Sequence, residues 1–224
     1  MGLLDDLKNQ AGKLQASQSA DLQSSARSTQ LVEAAAHGAQ RYLMELAGHL
    51  DVIRPTSRQR YVLDRRLVLE SLPLVDFRFD ARRKIVRDQE VIDHVVMVCT
   101  ARSGRTVQLS KDFVNEIEQL ERRLAQAGIT AEREAVRHPD NGKLVEMRYD
   151  FVANVEICVR LRCDHEAGLL HFNLRNLDGL ETVDCSFHAH AVTQARLDEL
   201  ARWWLGEPHR FLDEAQGLRR VEAR

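Results

Sequence analysis

Arg160, Arg162, His171, Asn173, Arg175, Asp184 and His188 are the residues whose types and spacing could do chemistry. They fall at alternate positions of runs that read as β-strand, so one polar face is expected to carry them. Guanidinium forks match the planar oxygens of phosphate and carboxylate, so Arg160, Arg162 and Arg175 suggest a site for an anionic ligand. Glu156 and Asp184 would neutralise part of that field. His188-Ala189-His190 puts two imidazoles on the same side of a strand, and His171 or Asp164 could supply a third metal ligand. Same-face residues two apart are spread by about 7 Å, however, and a solvated antiparallel face has this composition without any metal. No metal ligand and no cofactor is therefore assigned.

Other chemistries find less footing. Cys99, Cys158, Cys163 and Cys185 are never spaced as CxxC, so reduced, mostly buried thiols are expected rather than disulfides or a zinc site. No serine sits in a GxSxG elbow and the glycines form no phosphate-binding loop, so no catalytic residue is nominated. Between Arg54 and Asp88 ten Lys/Arg stand against five acids, with Tyr61, Phe77 and Phe79 interleaved. That stretch is the argument for nucleic acid. Against it, Phe77 and Phe79 share the apolar parity, and the whole chain carries a net charge of −2.

The element that must position the polar face is the stretch from Val145 to Cys163, whose odd positions are all apolar or small. A strand of that length must bend or serve two sets of neighbours, since ordinary strands have about 5–6 residues. Asp178-Gly179 is a hairpin signal that pairs Leu174 with Val183, Phe172 with Cys185 and Leu170 with Phe187. A turn at His165 to Gly168 pairs Leu161 with Phe172 and Val159 with Leu174, which lines up Arg162, His171 and Ser186 in one row and Arg160, Asn173 and Asp184 in the next. A turn at Asn141-Gly142 would set Arg137 opposite Glu146 and Arg133 opposite Asp150, at the cost of pointing Glu132 and Glu134 inward.

The remaining elements follow from periodicity. Residues 1–53 read as a helical arm: Leu3, Leu4, Leu7, Ala11 and Leu14 form one stripe, Ala16 to Gln30 resembles a linker or a poorly packed helix, and Leu31 to Ile53 is amphipathic until Pro55. A second long strand, bent near Pro73, carries Leu67, Leu69, Val75, Phe77 and Phe79. Val91 to Ala101 and Thr106 to Leu109 look like a hairpin around Arg102-Ser103-Gly104-Arg105. Helices are expected over 111–127, capped by Ser110 and stopped by Gly128, and over 193–205, capped by Thr193. Trp203 lies off the main stripe of the latter, where it could reach a partner. Pro208 can open a short final helix, and the tail beyond Gly217 should fray.

The expected fold is thus α+β: a helical arm (1–53), then a large antiparallel sheet covered by amphipathic helices (54–206, with a suspected pseudo-repeat 54–128 and 129–206), then a short helix and frayed tail (207–224). With 44% hydrophobic and 29% charged residues, no long apolar run and no secretory signal pattern, a cytoplasmic protein is expected. A non-catalytic interaction or scaffold role, through self-association or a protein partner, fits best. A small-ligand binding protein using the curved sheet is the alternative, and a metal-dependent enzyme comes third. Nucleic acid, and a membrane surface touched by residues 2–15, are the less expected partners.

Overall fold

A computed structural model describes the backbone of residues 3–223 and the side chains of residues 25–223. The stripe of Leu3 to Leu14, and any membrane contact by residues 2–15, lie outside the described side chains. The fold is α+β, with antiparallel strands in three sheets behind an N-terminal helix.

That helix, α1, runs unbroken over Leu3–Ile53, so the Ser/Gln-rich segment expected as a linker is helical as well. Val32, Ala36, Ala39, Leu43, Ala47 and Leu50 recur three or four residues apart and are buried in the main core. Small residues in this stripe let the helix backbone lie close to β3 (Leu74–Val86) and β4 (Gln89–Ala101). Side chains also bind the two parts. Glu33 accepts the Ile92 N–H at 2.9 Å, and Asp51 accepts that of Phe77 beside a bulge in β3. The 25–53 portion of the arm therefore belongs to the core and is no detachable appendage.

The largest sheet has the order β11-β10-β9-β8-β4-β3, where β8 is Val155–Asp164, β9 Leu169–Arg175, β10 Glu181–His188 and β11 Gln216–Glu222. Its hairpins have the registers that the turn residues imply, Leu174 with Val183, Phe172 with both Cys185 and Leu161, and Val159 with Leu174. A smaller sheet, β5-β7-β6, holds Thr106–Lys111, Leu144–Val152 and Glu132–Arg137, and β1 (Tyr61–Val62) pairs β2 (Val68–Leu69).

Several expectations are corrected here. Val145 to Cys163 is two strands, β7 in the small sheet and β8 in the large one, broken at Ala153-Asn154. Residues 102–105 do not close a hairpin: β4 pairs with β8 and β5 with β7, so this segment crosses between sheets beside the break. Asn154 holds the crossing, its side-chain oxygen accepting the N–H of Ser103 at 2.9 Å and of Gly104 at 3.1 Å. The hairpin partner of β4 is β3, through a turn at Arg87-Asp88 with φ of 50° and 59°. β2 ends at Leu69 and β3 begins at Leu74, with Pro73 between them only in an isolated bridge to Thr56, so no single strand bends there.

The Asn141-Gly142 register is also wrong by one residue. His138 and Lys143 close a longer loop, Arg133 faces Tyr149 and Glu132 faces Asp150, which turns Glu132 and Glu134 outward. Helix α2 spans Val114–Ala127; Ser110 lies in β5 instead of capping it, and Phe113 and Val114 are exposed. Gly128 ends α2 in the left-handed region, at φ 75°. Helix α3 spans Gln194–Trp204, with Thr193 as its side-chain cap. After it the chain makes turns and then β11, so neither a final helix nor a frayed tail is found over 207–222. Trp203 is 1% exposed and stacks on His209 at 4.5 Å, which removes it as a free contact for a partner.

The suspected halves share their sheets: β4 of the first pairs with β8 of the second, and β5 with β7. The helices divide between the two faces of the large sheet. α1 and α3 pack on the inner face, linked by Tyr42 Oη donating to Asp198 at 2.7 Å, while Trp204 of α3 lies 6.3 Å from Phe77 of β3. The C-terminal end of α2 instead meets one end of the outer face, and among the described residues no helix covers the exposed Arg160 and Arg162 further along it.

Candidate binding face

Alternation in β8, β9 and β10 sends their odd or even residues outward by register, and the strand pairings extend the rows across all six strands. One row reads Asp80, Val96, Arg160, Asn173, Asp184, Arg219. The next reads Arg82, His94, Arg162, His171, Ser186, Gln216. Beneath them Val95, Met97, Val159, Leu161, Phe172 and Cys185 are almost completely buried. A strand slip would expose this apolar layer, so burial on the inner side holds the polar rows in place.

Five of the seven nominated residues meet in these rows. Arg160 and Arg162 are exposed and side by side, and among the described residues neither has a carboxylate within salt-bridge distance. Asn173 donates to Asp184 at 2.7 Å, which orients both. His171 shares a proton with Ser186 across 2.7 Å at Nδ1 and faces Asp164 at 3.6 Å with Nε2. The Ala167 N–H, then the Glu166 N–H and His171, hold the Asp164 carboxyl below the usual carboxylate range.

The other two leave the group. Arg175 donates to the carbonyls of Gln126 and Ala125 at 2.8 Å each and pairs with Glu156 at 3.5 Å. It caps the negative end of α2, so it is a structural arginine. Asn176 and Gln126 complete this dock: the Asn176 amide donates to the carbonyls of Gln126 and Glu156, and Gln126 reaches Thr182. His188 lies at the strand end, exposed and stacked on His190 at 5.6 Å. Among the described residues no three His, Cys, Asp or Glu side chains converge as a metal would require.

Sequence reasoning missed Arg82, His94, Val96 and Arg219. The first three were legible as the outward parity of strands whose Phe79, Val95 and Met97 point in. Their membership in this face rests on the β4–β8 pairing, which joins residues 54 to 68 apart and has no local signature. Ser186 and His171 in the second row, with Asp164 beside it, put a nucleophile, a base and an acid next to one another. Ser186 sits inside an extended strand on an open face, though, and not at a turn that would aim hydrogen-bond donors at an attacked carbonyl. Cys158 is partly buried beside Arg175, one row from Arg160 toward α2, and burial followed by the Glu156 charge raises its thiol pKa, which disfavours the nucleophilic thiolate. Burial likewise pushes Cys99, Cys163 and Cys185 up to about 12.

The basic stretch from Arg54 to Asp88 is spread over β1, β2 and β3. Its aromatic residues turn inward: Tyr61 is fully buried, and Phe77 and Phe79 pack against the core. What the open face can do is hold negative charge. Its two rows carry four arginines against two aspartates. No helix among the described residues is long and apolar enough to cross a membrane. Comparison of the chain with models of known families, with curated proteins and with solved structures found no match.

Proposed function

We propose that this chain is a non-catalytic cytoplasmic interaction module whose open sheet face receives an anionic protein surface. The observation that carries the reading is the pair Arg160 and Arg162: two exposed guanidiniums on one strand, left without carboxylates among the described residues, while Asn173 is tied to Asp184, His171 to Ser186 and Arg82 to Asp80. Bidentate contact with carboxylates is the chemistry such a pair performs. Val96 and the stems of the arginines add apolar area to the same patch. Inward-facing aromatics leave nothing on it for bases to stack on, which favours protein over single-stranded nucleic acid.

The test is binding of immobilised poly-glutamate at low salt by the intact chain and by Arg160→Ala/Arg162→Ala. At least a tenfold loss in the variant, with an unchanged thermal melt, is expected. Unchanged binding would mean that the face is merely solvated. Tight binding of duplex DNA with none of poly-glutamate would overturn the protein reading. Inorganic phosphate competing at low millimolar concentration would favour a small anion instead.

A further inference from the structure

The small sheet carries a surface complementary to the basic rows. On its outward side Glu132, Glu134, Glu146 and Asp150 stand against one base, Arg148. Arg148 is spent within the group, at 2.7 Å from Glu146 and 3.9 Å from Glu134. Gln108 donates to Asp150 at 2.8 Å, which holds that carboxylate in place. An open groove of about 560 Å³ lies over this side. The opposite side of the same strands faces α2, where Tyr149 donates to Glu121 at 3.2 Å, and on the acidic side Glu132, Glu134 and Arg148 are exposed among the described residues.

We propose that the anionic surface received by the basic rows is the outer face of the three-stranded sheet of a second copy of this chain. The inference rests on the preceding reading and names its partner. Arg160 and Arg162 of one copy lie against Glu132 and Glu134 of the next. The opposed side chains are arginine forks on one side and carboxylates on the other, both borne on extended strands of like spacing. Because the two surfaces differ, the contact is heterologous: each copy keeps a free basic face at one end and a free acidic face at the other. A contact carried by a few exposed charged side chains, without a packed apolar centre, gives weak association. Because it is carried by exposed charges, it is also sensitive to salt.

Sedimentation velocity over a concentration series tests this with the full chain. At low salt the wild-type mass should climb with concentration past a dimer and return to a monomer at about 0.5 M salt. Arg160→Glu/Arg162→Glu and Glu132→Lys/Glu134→Lys should each be monomeric throughout, because each lacks one half of the contact. Their equimolar mixture should recover the association that each alone has lost, since the intact basic face of one meets the intact acidic face of the other and the two reversed faces also complement each other. All four positions are exposed, and a thermal melt within a few degrees of wild type confirms folding; Arg160→Gln/Arg162→Gln serves where the reversal does not fold. A wild-type chain that stays monomeric, an assembling single variant, or a mixture that stays monomeric overturns the inference. Poly-glutamate binding separates the two levels: if it persists in a monomeric wild-type chain, only the choice of partner fails, and if it is absent too, both fail.

Discussion

The six-stranded and three-stranded sheets are built from the same two pairs of crossing strands, yet they are held by different forces. In the large sheet the inner face of β8 is fully apolar, with Val155, Ile157, Val159 and Leu161 at most 1% exposed beneath α1 and α3. In the small sheet only Tyr149 and Phe151 are buried to a similar degree, and helix and cross-strand contacts such as Arg133 with Glu121 and Arg148 with Glu134 do much of the rest. Hydrophobic area holds one sheet, and a helix plus polar ties hold the other. The large sheet can therefore leave its outer side uncovered without losing its register.

Ile157→Asp is the harshest way to break that contrast. The carboxylate would be buried, unpaired, at the centre of β8, at a cost of several kcal/mol, enough to abolish the cooperative melt followed by circular dichroism. One residue further along, Cys158 already faces the outer rows, and at exposed Arg162 even Arg162→Asp should shift stability by no more than about 0.5 kcal/mol. Equal damage at both positions would mean that the outer face is packed in solution.

Tyr149→Ala asks the same of the small sheet. Removing a buried ring and its bond to Glu121 should cost about 3–5 kcal/mol if both sheets unfold together. If the small sheet opens separately, hydrogen exchange will show the amides of β5, β6 and β7 released while those of β8 and β9 stay protected. Burial, followed by the Glu121 charge, already pushes the Tyr149 hydroxyl up to about 12, so it stays a neutral donor across the useful pH range.

The same contrast explains what could be read from the chain. Short turns at Asp178-Gly179 and His165 to Gly168 join strands with strong alternation, so one wrong step would have buried arginines, and the register follows. Glu132 to Arg137 has no such alternation, and the Asn141-Gly142 dipeptide outweighed the warning that two glutamates would point inward. β11 offers an exposed, charged sequence whose pairing with β10 is made by backbone, with Arg220 reaching Glu181 at 3.0 Å. Nothing local distinguishes such a strand from a frayed end. The bound stripe of α1 is legible as a stripe, but its target, β3 and β4, is a long-range fact.

A smaller effect is expected where the small sheet's β5 meets the β1–β2 hairpin. Lys111 lies 2.7 Å from Asp64, both largely buried, and 3.4 Å from Glu116. Burial alone would raise the Asp64 carboxyl, but Lys111 and the N–H groups of Arg66 and Arg65 outweigh it and hold it low. A carboxyl lowered by folding stabilises above its unfolded value and loses that contribution as pH falls through its folded value. Lys111→Met should cost about 2 kcal/mol at neutral pH, and the penalty should shrink below roughly pH 4 as Asp64 becomes protonated. A penalty that does not change with pH would assign the loss to packing.

The smallest effect concerns the free edge of the large sheet. His209 is stacked on Trp203, with Phe211 behind and Arg220 of β11 5.9 Å from the indole ring. Burial pushes the His209 imidazole below its ordinary value, against the pull of Asp178 and Glu199. A histidine lowered by folding is neutral in the fold, so its contribution is complete above the unfolded value of about 6.5 and is lost as pH falls through the folded one. His209→Phe keeps the stacked ring and removes the titration. The wild-type melting temperature should then fall between about pH 6.5 and 5 by a degree or two more than that of the variant. Exchange of the β10 and β11 amides should accelerate over the same range while β8 stays protected. Parallel pH profiles for the two proteins would show that the imidazole is already solvated, and that the edge is held by the β10–β11 ladder and the Arg220 contacts to Glu181 and Trp203 without help from His209.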